Sequence, residues 1–506
     1  MVVAASPWRP AIFVIGCDIG TQSTKALLLD DQGVTVARAA RSYPTSHPAA
    51  SWAEQDPADW LTALRDVVAE VLVQAGVPGA EVGALGIAAQ VDGIVAVDAA
   101  DEPLAAAPIW MDRRANAPLA AALDRLGGPL VGADRIRSVT GANADPSHGA
   151  PKIGWLREAL GGRPDGYLLP ASFVVAHLTG RRTVDRANAS CLLLMDVASG
   201  AWSAELCEAF AVDPAGLGEI CPATDVAGTL RPDVAAAWGV PAWPVVVGTG
   251  DEHAACLAAD VLRPGRIGDI SGTAEPVAAA SATPVRDPAG LVETHAHVPP
   301  DRWLVEHPGF VSGGSVRWLA GILDCAQDEI GRLAAAAPPG ADGVRFEPAL
   351  GGASAPRWNA DLFAAFTGLA LGHDRRHLAR AVLEGCSFAV RDIVERLAAI
   401  GLDSDVIRVV GGGARDRTWL QIKADVTGRE VELLAEPEAT ALGAALVASV
   451  GIGLFKDLDA AAAAALRLDP VRFAPDPTAS RRYDEAWAAH LATFDALEPL
   501  ATAVAS

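Results

Sequence analysis

Positive charge is scarce in this chain. Its 506 residues carry 40 Lys and Arg against 62 Asp and Glu, a formal net charge of −22. That balance argues against nucleic acid as a partner, because neutralising a phosphate backbone needs a basic face. A small phosphorylated ligand would instead need local basic groups and a metal. Cysteine is sparse and unpatterned: positions 17, 191, 207, 221, 256, 325 and 386 form no C-x-x-C pair. This excludes a disulfide frame and a zinc site, and reads as reduced, buried thiols. No apolar run is long enough to cross a membrane, and the Ala-rich run Ala460–Leu466 falls far short. The N-terminal region lacks a basic n-region and an A-x-A site, so it is read as leading into a first strand rather than as a signal peptide. The expected compartment is the cytoplasm, with no membrane partner.

Apolar residues are plentiful, at 51 % with 20 % charged, so large cores can form. The length suggests about two to four domains. The run Ile12-Phe-Val-Ile-Gly16 leads straight into Asp18-Ile-Gly-Thr-Gln-Ser-Thr-Lys25 and then Ala26-Leu-Leu-Leu29. That pattern is a buried strand ending in an acid, a glycine turn with hydroxyls, and a return strand. Close backbone approach, free N–H groups and hydroxyl donors are what a phosphate needs. A carboxylate at Asp18 beside phosphates is tolerable with a bound Mg²⁺. No helix follows the glycine, so this is a phosphate hairpin and not a Walker loop. The bland alternative is an ordinary hairpin with a polar tip.

Further along, Asp56 caps a helix that starts at Pro57 and runs to Gly76. Strands follow at 84–88 and 93–97. The stretch 110–240 reads as loop-rich insertions on a core sheet. Strand 244–247 enters Gly248-Thr-Gly-Asp251, and Gly265–Thr273 supplies a second strand and glycine turn. The boundary is set near 255–262, giving lobes 1–258 and 259–506. In the second lobe Leu383, Cys386, Val390, Ile393, Leu397 and Ile400 mark a long helix closed by Gly401. Strand 406–410 ends in Gly411-Gly-Gly-Ala414, and helices near 417–427, 439–446 and beyond 470 complete the plan. The two halves are similarly built without a strict repeat. Glycine turns after strands in both halves suggest a nucleotide held between domains.

Ala364-Ala-Phe-Thr-Gly-Leu369, seven residues, then His377-Leu-Ala-Arg-Ala-Val-Leu-Glu384 resembles the C-terminal signature of the FGGY carbohydrate kinases. Ser147-His-Gly-Ala-Pro-Lys-Ile-Gly-Trp155 resembles the other signature, around Lys152 and Trp155. Trp110-Met-Asp-Arg-Arg114 resembles the family's W-x-D-x-R segment, and Thr440-Ala-Leu-Gly-Ala-Ala445 a connecting helix of the actin/hexokinase/Hsp70 superfamily. Ser51-Trp-Ala-Glu-Gln-Asp-Pro57 and Gln90-Val-Asp-Gly93 point to the xylulokinase-like branch. The resemblance runs to about residue 450. It implies an α/β protein of two ribonuclease H-like lobes with a nucleotide cleft between them, using ATP and Mg²⁺. Homodimers are frequent in the family.

By position, the resemblance makes Asp251 the catalytic base and a metal-side acid. A positioned carboxylate can take the proton of a sugar hydroxyl as it attacks a γ-phosphoryl group. Asp18 matches the acid that holds Mg²⁺. Gly20, Thr21, Thr24 and Lys25 match the phosphate hairpin, and Gly272 and Thr273 the second phosphate turn. Gly313, Gly412 and Gly413 match positions beside the adenosine. Gln90, Asp92, Trp110 and Glu252 are the expected sugar contacts, with His148 and Lys152 as weaker candidates. Bland alternatives stand beside these roles: a helix cap for Asp251, a turn cap for Asp18, core packing for Trp110 and plain tight turns for the glycines.

Several positions depart from the pattern. Asp92 stands where xylulokinases carry His, and Glu252 where they carry Asn. Gly352-Ala-Ser-Ala-Pro356 lacks two charged residues, and Ile270 and Glu275 replace the usual Ser and Gly. Changed donors and acceptors alter which hydroxyl pattern a pocket accepts. The expected reaction is phosphorylation of a terminal hydroxyl of a small ketose, with D-xylulose first and ribulose, erythritol or glycerol as alternatives. A nucleotide switch of the actin/Hsp70 kind and a sugar-binding pseudokinase remain as rival classes.

Overall fold

The computed structural model describes residues 12–504 apart from 50, 163 and 360. The chain forms two compact units. The first runs up to Ala258 and takes in His295–Asp301 and Glu438–Leu466; the second holds Ala259–Thr294, Arg302–Pro437 and the chain from Arg467 onward.

In the first unit the sheet order is Thr35–Ser42, Ser23–Leu29, Phe13–Ile19, Val82–Ala89, Pro244–Val246, Val226–Thr229. The first three strands are antiparallel neighbours, and Phe13–Ile19 runs parallel to Val82–Ala89, which runs parallel to Pro244–Val246. Strand Phe13–Ile19 is buried on both faces, which is why it reads as a continuous apolar run. Helix Pro57–Ala75 covers one face. Asp56 accepts from the Ala58 N–H at its start, and Gly76, at φ 65°, ends it.

The opposite face is covered by helix Ala439–Gly451, whose small residues let it lie directly on strand backbone. A Cβ at Gly16 would stand 2.0 Å from the Ala441 carbonyl oxygen, and one at Gly86 2.2 Å from that of Ala444. Only glycine on the strands allows this approach.

The second unit repeats the plan. Its sheet includes, in order, Trp303–His307, Val277–Ser281, Ile267–Ile270, Val406–Val410 and Glu430–Leu433. Again the first three are antiparallel and the remaining two join in parallel. Two α/β units with this shared strand order are the ribonuclease H-like architecture expected from the sequence.

Helix Arg375–Ala399 starts in a capping box between Asp374 and His377, and Leu383, Cys386, Val390, Ile393 and Leu397 form its buried seam. The C-terminal helix Pro477–Val504 packs on this unit. Tyr483 receives a hydrogen bond from Arg380 (2.6 Å) and donates to Glu384 (2.7 Å), while the Trp487 indole donates to Asp392 (2.7 Å).

The expectation of a loop-rich stretch at 110–240 is corrected. Helices Asn116–Arg125, Pro129–Thr140, Gly149–Ala159 and Pro170–Thr179 fill much of it, with shorter ones beyond. Each is about three turns long and bounded by Gly or Pro, so no long apolar period builds up in the sequence. Strand Val95–Val97 leaves the main sheet and pairs with Gly166–Leu168. All seven cysteines are free thiols. Among the described residues no helix is long and apolar enough to cross a membrane.

Candidate active site

The first unit collects ten of the predicted site residues around the ends of its central strands. Asp18 stands opposite Lys25 in the antiparallel register and beside Ala88 in the parallel one. The turn between the strands is closed by the Gly20 N–H donating to the Ser23 carbonyl (3.1 Å), and the Tyr43 hydroxyl donates to the Gly20 carbonyl. Thr24 is buried within the return strand. Lys25 pairs with Glu438 (2.7 Å) at the start of helix Ala439–Gly451.

Asp251 is the first residue of helix Asp251–Ala258. Its Oδ1 accepts the Glu252 N–H at 2.8 Å. The strand before it makes a sharp approach at Gly248, φ 75°, where a Cβ would lie 2.2 Å from the Ile87 carbonyl oxygen. Gly248 therefore sets the exit of the chain into the Asp251 helix.

Burial pushes the Asp18 carboxyl up to about 8, and the nearby Asp251 charge adds to this while Lys25 opposes it. Burial also lifts Asp251, to about 6, against the backbone N–H groups of Glu252 and Val91 that hold it down. Two carboxyls raised by burial, Asp18 also by Asp251 and Asp251 also by Asp92, suit a cation. Asp18 Oδ1 is buried without a hydrogen-bond partner, an orphaned oxygen ligand. Among the described residues no group of three or more His, Cys, Asp or Glu is arranged to hold a metal. A pair of carboxylates completed by water and phosphate oxygens is the donor set Mg²⁺ takes, so the residues present fit that ion.

Two of the predicted sugar contacts, Trp110 and Gln90, are joined by one hydrogen-bond network. Trp110 donates to Thr21 Oγ1 (2.8 Å), so this indole ties the phosphate hairpin to the W-x-D-x-R segment. Gln55 is the hub. It donates to the Thr21 carbonyl (2.6 Å) and Thr45 (2.8 Å), and its oxygen receives Trp60 (3.0 Å) and Gln90 (2.8 Å). Gln90 keeps a buried, unpartnered Oε1. Asp92 sits at φ 58° and pairs with His148 Nδ1 at 3.2 Å.

Lys152 explains its place in a signature. Its buried ammonium donates to the carbonyls of Asp92 (2.7 Å), Ile109 (2.8 Å) and Ser147, binding three site segments together. Burial lowers it to about 8, which leaves it charged at neutral pH. Arg114 lies over the Trp52 and Trp155 rings, 3.8 and 4.7 Å from their centroids, and pairs with Asp112 (2.6 Å) and Glu54 (2.8 Å).

The second unit brings together Gly272, Thr273, Gly313, Gly412 and Gly413. The N–H of Gly313 donates to the Gly272 carbonyl (3.2 Å), that of Gly314 to Thr273 (3.1 Å) and that of Gly413 to Ser271 (2.9 Å). A Cβ at Gly313 would stand 2.3 Å from the Gly272 oxygen, and one at Gly413 2.0 Å from Ser271 Oγ. Three turns thus form one backbone assembly, with Gly313 opening helix Gly313–Ile322. Thr273 also receives a hydrogen bond from Arg317 (3.0 Å).

Gln55, Tyr43 and Glu438 were not among the predicted site residues. Gln55 lies inside the quoted 51–57 segment, and that was its only signal. Glu438 precedes the connecting-helix motif by two positions.

Residues 13–258 match the N-terminal domain of the FGGY family of carbohydrate kinases, and 270–452 match its C-terminal domain. The chain is 30 % identical to a xylulose kinase of Escherichia coli K12 over 88 % of this chain and 91 % of that one. It is 34 % identical to a glycerol kinase of Gloeobacter violaceus, covering 90 % and 92 %. A crystal structure of a xylulose kinase from Rhodospirillum rubrum superposes with a TM-score of 0.85 at 31 % identity, over 97 % of this chain and all of the other. With both of its halves matched, the chain belongs to the FGGY family of carbohydrate kinases and is an ATP-dependent sugar phosphotransferase.

Proposed function

We propose that this enzyme phosphorylates a terminal hydroxyl of a small neutral ketose, D-xylulose first, with Asp251 as general base. The observation that carries this is the Asp251 carboxyl at a helix start, lifted to about 6 beside Asp18. At pH 7 to 8 such a group is mostly ionised yet more basic than an ordinary carboxylate, which suits it to accept a hydroxyl proton. Asp18 and Asp251 would hold Mg²⁺, which when bound supplies charge neutralisation to the phosphate oxygens. Thr21, Thr24 and Lys25 would then offer donors to phosphates, and the turns at Gly272-Thr273, Gly313 and Gly412-Gly413 would hold the nucleotide.

The charge pattern supports a neutral substrate over a sugar acid. Asp92, Asp251 and Glu252 are all acidic. The cations near them in sequence are already engaged: Lys152 by three carbonyls, Arg113 by Asp145 (2.8 Å), Arg114 by Asp112 and Glu54, and His148 by Asp92. An aldonate carboxylate would meet carboxylates with no free partner among these groups, a costly arrangement. The likeness to a glycerol kinase favours a second reading, a shorter polyol.

Coupled ADP release with Mg-ATP, run on D-xylulose, D-ribulose, erythritol, glycerol and D-gluconate, tests both. Turnover confined to D-xylulose supports the first reading and turnover on glycerol the second. Preferred turnover on gluconate would overturn the neutral-substrate argument.

A further inference from the structure

Beneath the turns of the second unit lies a buried charge cluster. Asp269, Glu275 and Lys423 are each at most 1 % exposed. They come from strand Ile267–Ile270, from the segment after the glycine turn and from helix Arg417–Thr427. The Lys423 ammonium donates to Asp269 Oδ2 (2.6 Å), to Ser271 Oγ (3.2 Å) and to Glu275 Oε1. Ser312 donates to the other Glu275 oxygen. All three ammonium hydrogens and both Glu275 oxygens are thereby used.

Burial, reinforced by Glu275, pushes the Asp269 carboxyl well above the usual carboxylate range. At Glu275 burial acts upward but is outweighed by Lys423 and by hydrogen bonds, so this carboxylate stays ionised. The cluster thus sets one buried cation between two carboxyls, of which Glu275 is the favoured anion, and pairing of this kind is what lets charge be buried. Such a pair is a poor source of stability compared with apolar packing, and a good source of fixed geometry.

What it fixes is the turn assembly. Ser271 leads into Gly272-Thr273 and meets Gly413 through both its carbonyl and its hydroxyl; Ser312 directly precedes Gly313. The cluster therefore reaches all three turns. It also accounts for Glu275 at a position where the family pattern leads one to expect glycine.

We propose that Glu275 and Lys423 are a matched pair of positioning residues that lock the three turns into a phosphate-binding shape. The inference rests on assigning Gly272-Thr273 to the phosphates of ATP.

The test uses the full chain with Glu275→Gln, Lys423→Met and the two combined, measuring ADP and adenosine affinity by calorimetry and the KM for sugar. Each single change should weaken ADP by about tenfold, the scale of one lost charge-assisted hydrogen bond. Adenosine affinity and sugar KM should stay near wild type, and the combined variant should regain most of the ADP affinity. Wild-type ADP affinity in the singles, equal losses for ADP and adenosine, or additive losses in the combined variant would each overturn the pairing. Ser312→Ala, which removes one hydroxyl, covers the case in which the singles do not fold: it should still weaken ADP selectively, and unchanged ADP affinity would sink the proposal. Thr273→Ala separates the two levels. Unchanged ADP affinity there removes the phosphate-turn assignment itself, whereas a loss there beside an unaffected Glu275→Gln removes the matched pair alone.

Discussion

A carboxyl lifted to about 6 by burial leaves a kinetic signature at Asp251. The base acts only when deprotonated, so kcat/KM for the sugar should rise about tenfold per pH unit below pH 6 and level off above it. A pH–rate profile reads this directly: bound Mg²⁺ would draw the inflection below 6, and a rate that does not fall on acidification would point away from Asp251. Asp251→Asn should lower kcat by about 10² to 10⁴-fold while ADP affinity, measured separately, is retained. These residues were legible because their chemistry sits in short contiguous words: Asp18 beside Gly20-Thr21, Asp251 after Gly248-Thr-Gly250. Gln55 and Lys423 were not. Each acts through partners tens to more than a hundred positions away, such as Thr21, Gln90 and Asp269, and no local pattern announces such a hub.

At the scale of elements, the helix Ala439–Gly451 is held by absence of side chain. A Cβ at Gly443 would lie 2.0 Å from the Ala254 carbonyl oxygen, in the helix that Asp251 opens. Gly443→Val should destabilise the protein by about 1–3 kcal/mol and lower kcat by displacing that helix; denaturant titration and steady-state kinetics check the two parts. The C-terminal helix offers a pH test. Burial raises Glu347 to about 8 and Asp392 to about 7, so folding keeps protons on both that the unfolded chain has lost. Stability from these groups is full below their unfolded values and falls as pH rises through the folded ones. His490, kept neutral by burial down to about 4, acts in the opposite sense below its ordinary 6.5. The clear window is therefore pH 6.5 to 8. Glu347→Gln should raise Tm at pH 8 by about 2–4 °C or more and flatten the decline across that window. An unchanged pH slope in thermal melts would contradict the assignment. Long helices with one seam, such as Arg375–Ala399, were readable from apolar spacing alone. The short helices between 116 and 179 were not, because three turns between glycines and prolines carry too few periods.

For the whole molecule, the charge of −22 sets the approach of the anionic nucleotide. Like-charge repulsion slows encounter and salt screens it. Raising ionic strength from about 0.02 to 0.15 M should therefore raise kcat/KM for Mg-ATP by about twofold and leave that for a neutral sugar level; a fall for Mg-ATP would show that local basic groups dominate. The two-unit plan was visible in the paired strand-and-glycine turns, but the returns of the chain were not. No strand-and-glycine turn marks the return near 295, and the connecting-helix motif at 440–445 does not say which unit it joins.

The return of Glu438–Leu466 to the first unit has a consequence for the growing polypeptide. Strands Phe13–Ile19 and Val82–Ala89 leave the ribosome early, yet the helix that lies against Gly16 and Gly86 is encoded far downstream. At about 5–20 residues per second, the interval between residues 258 and 466 lasts about 10–40 s. During that time one face of the nascent sheet, bearing Gly16 and Gly86, has no lid of its own. The chaperone dependence of this enzyme should therefore be set during synthesis, by that exposed face, rather than by the stability of the finished fold.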